Sequence, residues 1–177
     1  METFDTIFSR KSVRSYTGKQ VSQEELDKVL KAANASPVAM AQYENMHITV
    51  IQNEELLQEI EECAANTFQK PGMKPLYNAP TLIVLSSVAP KPPKENALYS
   101  NAAIMAHNMA LAATDLNLGS CYIWGAFAAV NQNPDLVKKL NLPEGFVPCC
   151  GITLGETTEK YEERDIPAER FKTNYIK

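Results

Sequence analysis

Imidazoles and indoles are scarce: His47 and His107 are the only histidines in 177 residues, and Trp124 is the only tryptophan. So few imidazoles leave a zinc site with little to draw on. His47 lies in a strand-like run and His107 in an apolar helix, and each is expected to be a hydrogen-bonded structural residue. The four cysteines, Cys63, Cys121, Cys149 and Cys150, show no C-x-x-C spacing and read as buried free thiols. Cys149 and Cys150 are neighbours in a strand-like run, where side chains alternate, so they are expected on opposite faces. Glycine is sparse too, and no Gly-rich dinucleotide fingerprint appears, which leaves out a Rossmann domain. No paired-carboxylate or Ser-His-Asp constellation is visible. The net charge of −4 argues against a broad nucleic-acid surface. The apolar run Ala102 to Ala113 is interrupted by His107 and Asn108 and is too short to span a bilayer. Met1 to Ser9 is acidic and amphipathic, unlike a signal peptide. The chain is therefore expected to be cytoplasmic, with no membrane or nucleic-acid partner, and long enough for one domain, 1–177.

Acidic side chains are missing locally as well. From Thr6 to Gln23 there is no Asp or Glu, yet Arg10, Lys11, Arg14 and Lys19 all fall there. A cationic loop with an interleaved hydroxyl, Ser12, can hold a phosphate by charge-assisted hydrogen bonds. A solvated basic turn is the alternative reading. Phe4, Ile7 and Phe8 form a short amphipathic stretch before it, and a helix follows, so the loop joins two helices.

Along the chain, Ser22-Gln23-Glu24-Glu25 is a capping box. Leu26, Val29, Leu30 and Ala33 recur at helical spacing, and the helix should stop before Pro37. Met46 to Ile51 reads as a strand, and Asn53 should cap a helix running to about Asn66. Gln69 to Ala79 reads as loop. The apolar run Thr81 to Leu85 suits a central strand covered on both faces. Ser100 to Leu118 is apolar on nearly every side, which predicts a helix buried all round and a subunit interface. Ser120 to Trp124 and Val147 to Leu154 read as strands, and Pro134 to Leu140 as a short helix. Residues 156–177 are too polar to pack alone as a domain and are expected either to dangle or to wrap a partner subunit. The alternation gives an α/β or α+β sandwich.

Four of these segments resemble, in order, those of the FMN-dependent nitroreductase family. Arg10-Lys11-Ser12-Val13-Arg14-Ser15-Tyr16 is similar to its opening Arg-Arg-Ser-x-Arg-x-Phe. Ala32-Ala33-Asn34-Ala35-Ser36-Pro37 is similar to Ala-Ala-x-x-Ala-Pro. Leu116 to Gly125 resembles the Gly-Leu-Gly-Ser-Cys-x-Ile-Gly segment, and Gly151 to Glu156 the closing core strand. The resemblance implies an α+β sandwich with a mostly antiparallel sheet, an intertwined homodimer, and two FMN sites built from both chains.

It would place Arg10 and Ser12 on the FMN phosphate and ribityl, with Lys11 nearby and Arg14 at the flavin pyrimidine edge. Pro37, Val38, Ala39 and Met40 match the segment approaching the flavin from the partner. Trp124 and Gly125 match positions facing flavin N5, and Arg170 a basic residue on the phosphate, with Arg164 and Lys172 as alternatives. Trp124 as a plain core residue is the competing reading, and Lys74 reads as a solvated lysine that could reach the cofactor. Departures from the family include Val38, Ala41, Tyr43-Glu44-Asn45 and Ala168; Gln42 or Tyr43 could replace lost polar contacts. The implied activity passes a hydride from NADH or NADPH through FMN to a nitroaromatic or quinone in a two-step exchange, with no side chain as acid or base. A flavin store or sensor without turnover, and a thiol enzyme using Cys121 or Cys149, are the rivals.

Overall fold

Four runs rich in apolar and β-branched residues make a single antiparallel sheet: β1 (Met46–Ile51), β2 (Thr81–Val88), β3 (Gly119–Ile123) and β4 (Phe146–Gly155). Their order across the sheet is β1-β2-β4-β3. The computed structural model describes residues 1–89 and 91–177. Among them are six α-helices: α1 (Thr3–Ser9), α2 (Gln23–Asn34), α3 (Glu54–Thr67), α4 (Glu95–Asp115), α5 (Gly125–Val130) and α6 (Pro134–Lys139). Ser22 and Glu25 form the capping box of α2, and Asn53 accepts from Leu56 N–H at 2.8 Å to start α3. The fold is the expected α+β sandwich.

Period-two alternation on β2 divides the core. Ile83 and Leu85 pack with Ala102, Met105 and Met109 of α4, over which α2 lays Leu26 and Val29. Leu82 and Val84 point the other way, onto Leu57 and Ile60 of α3 and Phe127 of α5. The helix α5 was not legible in the sequence, because six residues hold too little periodicity to separate from a loop.

Two expectations need correcting. The register of β2 and β4 shifts at Leu85/Ser86: Leu85 faces Cys150 and Ser86 faces Pro148, so Cys149 is an extra residue. This bulge turns both vicinal thiols onto the α4 side, where alternation would have split them. The second concerns α4, which is not covered all round. In the single chain Tyr99, Ser100, Ala103, Ile104 and His107 form an exposed stripe at helical spacing. Among the described residues nothing covers it, because α1, α2 and the sheet occupy the other sides of α4.

The segment 10–16 is pinned by one aromatic ring. Gly119 and Gly155 face each other across β3 and β4. A Cβ on Gly119 would stand 2.9 Å from the Tyr16 ring, and one on Gly155 would stand 3.0 Å from it and 2.7 Å from Pro80. Only this pair of bare backbones lets the ring lie flat against the strands. The Tyr16 hydroxyl bonds the Val13 carbonyl at 3.0 Å and Thr153 Oγ1 at 2.7 Å. Val13, fully buried, donates its N–H to the Ser120 carbonyl at 2.8 Å.

Residues 156–164 stay on their own chain. Thr157 Oγ1 donates to the Ser15 carbonyl at 2.9 Å, and the Tyr161 hydroxyl donates to the Leu118 carbonyl at 2.6 Å. Arg164 closes the C-terminus of α1, donating from Nε to the Phe8 carbonyl at 2.9 Å and from Nη2 to that of Ile7 at 3.3 Å. Beyond it Phe171, Tyr175 and Ile176 are 82, 82 and 100 % exposed.

Gly155→Ala should force the Tyr16 ring off the strands and cost about 1–3 kcal/mol, read as a lower Tm with an unchanged denaturant m-value. Tyr16→Phe keeps the ring and loses its two bonds. It should cost about 1–2 kcal/mol and speed hydrogen exchange at the Val13 amide. A Val13 amide as protected as in the parent would show that the hydroxyl does not hold the loop.

Candidate functional site

The pinned loop presents its side chains alternately. Val13 enters the core and Lys11 turns to Glu159, 2.8 Å away, with its ammonium 5.9 Å from the centre of the Tyr161 ring. Arg10 and Ser12 face a cleft of about 310 Å³ whose other walls are α4 and β3. Ala103, Ala106, His107 and Ala110 line it from the helix, Ser120 and Tyr122 from the strand. A second cleft of about 280 Å³, edged by Tyr99, Trp124, Cys149 and Cys150, shares Ala103 and Tyr122 with the first. The two form one groove, cationic at the Arg10 end and aromatic at the Trp124 end.

The cationic end carries uncompensated charge. Ion pairs take Lys11 and Lys19 but leave Arg10 without a carboxylate among the described residues. Burial lowers the pKa of Arg164, and repulsion from Arg10 and Arg170 lowers it further, so Arg164 stands within the field of both. Burial and then Arg10 hold His107 below the usual imidazole range. The Ser120 hydroxyl is buried with no hydrogen-bond partner and lines the same cleft. A buried orphan hydroxyl is costly unless a ligand or water completes it. Arg10, the Ser12 hydroxyl and this orphan suit a phosphorylated polyol chain, and the run of alanines on α4 leaves room beside it.

Arg14 leaves the loop on another heading, its guanidinium carbon 5.6 Å from the centre of the Tyr77 ring. Trp124 is 62 % exposed and immediately precedes Gly125, the first residue of α5, so it is not a core tryptophan. Pro37, Val38, Ala39 and Met40 are not brought to this groove. Ala39 donates its N–H to Asn101 Oδ1 at 3.1 Å, and Ala39 and Met40 line a separate cleft with Gln42, Leu98 and Asn101. Met40 and Ala41 both adopt left-handed backbone, φ 57° and 53°, a strained arrangement for residues with a Cβ. Lys74 is hydrogen-bonded to Asn78 at 2.8 Å.

Sequence reasoning gave no site role to Tyr16, His107, Ser120 or Tyr122. A polar break in an otherwise apolar helix was the available signal for His107, which makes no hydrogen bond among the described residues and is exposed, contrary to the structural role expected of it. His47 likewise packs its ring edge-on against Phe146, with centroids 6.1 Å apart. The thiols give no support to nucleophilic chemistry. Burial raises the pKa of Cys121 and Cys149 and pushes that of Cys150 up to about 12, so all three stay protonated.

Known proteins share this fold. A Methanothermobacter thermautotrophicus protein with the provisional name NADH dehydrogenase/NAD(P)H nitroreductase is 27% identical over 167 residues, covering 94% of this chain and 83% of its own. The crystal structure of a Bacteroides fragilis nitroreductase with bound FMN superposes with a TM-score of 0.83 at 27% identity, covering 99% of this chain and all of the other. A Desulfitobacterium hafniense nitroreductase with bound FMN shares the fold, with a TM-score of 0.84 at 24% identity, 100% of this chain and 99% of that one. The family model for the nitroreductase family matches residues 7–156, from α1 to the end of β4, and the chain belongs to that family.

Proposed function

We propose that this chain is an FMN-dependent oxidoreductase that carries reducing equivalents from NADH or NADPH to an electron-poor acceptor such as a nitroaromatic or quinone. The observation that carries this reading is the groove itself: an arginine with no carboxylate and a buried orphan hydroxyl at one end, exposed aromatics at the other. It is supported by the FMN bound to the Bacteroides fragilis relative and by the nicotinamide named for the archaeal one. FMN, when bound, supplies the hydride chemistry. The chain supplies position and charge. Arg10 and Arg170 hold the phosphate and Ser12 the ribityl chain, with Lys11 kept by Glu159 as an outer charge. Arg164 is committed to α1 and acts on the phosphate only through its field. Arg14, which in the single chain turns toward Tyr77, is assigned to the pyrimidine edge by the family resemblance alone, where its charge would meet the negative charge that collects on reduction. Trp124 and Gly125 close the aromatic end.

The working form is a homodimer, cytoplasmic, of single-domain 1–177 subunits. Within one chain Pro37 to Met40 lie apart from Arg10, and Ile104 and His107 of α4 are uncovered. A second copy covers the Tyr99 and Ile104 part of that stripe, leaves His107 facing the Arg10 cleft, and brings its own Pro37–Met40 segment to the groove. Residues 165–177, with three exposed apolar side chains, wrap that copy. No helix among the described residues is long and apolar enough to cross a membrane.

The purified protein should be yellow, bleach with NADH or NADPH, and recover its colour with a quinone, with parallel-line steady-state kinetics. A colourless protein that refuses added FMN would overturn the proposal. Tight FMN with no nicotinamide oxidation would instead identify a flavin store or sensor. Arg10→Ala should lose about 1.5–3 kcal/mol of FMN affinity, tenfold or more, by fluorescence titration, with circular dichroism and dimer mass unchanged. Removing residues 165–177 should shift the sedimentation equilibrium toward monomer and weaken FMN binding in parallel. A truncated chain that stays dimeric would place the tail elsewhere.

A further inference from the structure

We propose that His107 is a ligand of the FMN phosphate, closing on it from α4 opposite Arg10, and that the imidazole takes up a proton as the phosphate binds. The inference rests on the FMN reading above and adds to it a residue and a coupled proton. His107 lines the Arg10 cleft and is exposed on the uncovered stripe of α4. Its neighbours on the helix wall, Ala103, Ala106 and Ala110, reach nothing polar, so His107 is the one hydrogen-bonding side chain α4 offers there. It makes no hydrogen bond among the described residues. An imidazole left idle beside a phosphate site is a ready donor.

The charges around it set the sign of the coupling. From the loop, Arg10 faces it; from the tail, Arg164 lies in the field of Arg10 and of Arg170. From β3 comes Tyr122, whose phenol is pushed well above its usual range by burial and stays neutral. Lys11 is neutralised by Glu159, and Asp115, two turns along α4, is held by the N-terminal ammonium. With no anion present, burial and Arg10 keep the imidazole neutral, below its ordinary value near 6.5. A dianion between Arg10 and His107 reverses that field, and the imidazole pKa rises in the complex. Between the two values binding therefore takes up a proton. Affinity falls as pH rises through the bound-state value and levels off above it. The phosphate's own second ionisation, near 6, works the other way, so the measurement belongs above about pH 7.

The test is isothermal titration of the purified apoprotein at about pH 7.5 in two buffers of different ionisation enthalpy, with FMN and with riboflavin. The expected result is proton uptake with FMN, none with riboflavin, and none with FMN in His107→Gln. The variant should bind FMN about three- to tenfold more weakly near pH 7 and match the parent near pH 9. His107→Lys, a cation at every working pH, should keep tight binding and lose the pH dependence. Equal proton uptake in parent and His107→Gln, or equal uptake with riboflavin, overturns the role of His107 while leaving FMN binding intact. Failure of the parent to bind FMN overturns the functional reading, and this inference with it.

Discussion

The packing of the Tyr16 ring onto two facing glycines is the constraint on which the rest of the site depends. A cationic loop in water has no reason to hold one shape, since its charges repel and its hydroxyls find solvent. Here a buried Val13, its N–H bonded to Ser120, and a ring trapped against Gly119 and Gly155 give residues 10–16 a fixed line along the edge of β3. Once that line is fixed, alternation does the sorting. Arg10 and Ser12 face the groove, while Lys11 goes to Glu159. Two adjacent cations of one motif therefore have different jobs, decided by the loop's path and not by their chemistry.

The electrostatics follow from the same path. The protein carries a net charge of −4, yet Arg10 at the end of the groove has no carboxylate partner among the described residues, and Arg164 lies in its field and that of Arg170. Such a cluster destabilises the empty fold through mutual repulsion, and an anion that relieves it stabilises the fold as it binds. Arg164 shows how the chain limits the damage. Its guanidinium sits on the last carbonyls of α1, where the negative end of the helix dipole favours it. The cluster is thus held from below by backbone and left open toward the groove.

Much of the fold was legible because its signals are local. The capping box at Ser22, the cap at Asn53 and the apolar runs of β1, β2 and β4 depend on residues a few positions apart, and the elements stand where those patterns put them. What was not legible depends on contacts between distant segments. The bulge that turns Cys149 and Cys150 to one face is a register slip between β2 and β4, invisible in either strand alone. Tyr16 looked like one more position of a family motif; its seat exists only where residues 119 and 155 meet. In the site, Arg10 and Ser12 carried their signal in composition. Ser120 and His107 acquire meaning only when β3 and α4 are laid side by side.

The division of the site between two places in one chain is itself informative. Met40 and Ala41 hold left-handed backbone, a cost of about 1–3 kcal/mol per residue that packing must repay. Within the chain the visible restraint is Asn101, buried, accepting the Ala39 N–H. That bond shapes the turn and pushes the Met40 side chain, 65 % exposed, away from its own core. An apolar side chain held outward at a strained turn is poor use of stability for a monomer. It becomes sensible when the turn is a surface made for another subunit. The uncovered stripe of α4 lies on the same helix that supplies Asn101, so one helix both presents the strained turn and bares the face that a second copy would fill. The proposed homodimer draws its support from this pairing of cost and exposure: each copy would keep the phosphate end of its groove and lend the other its turn.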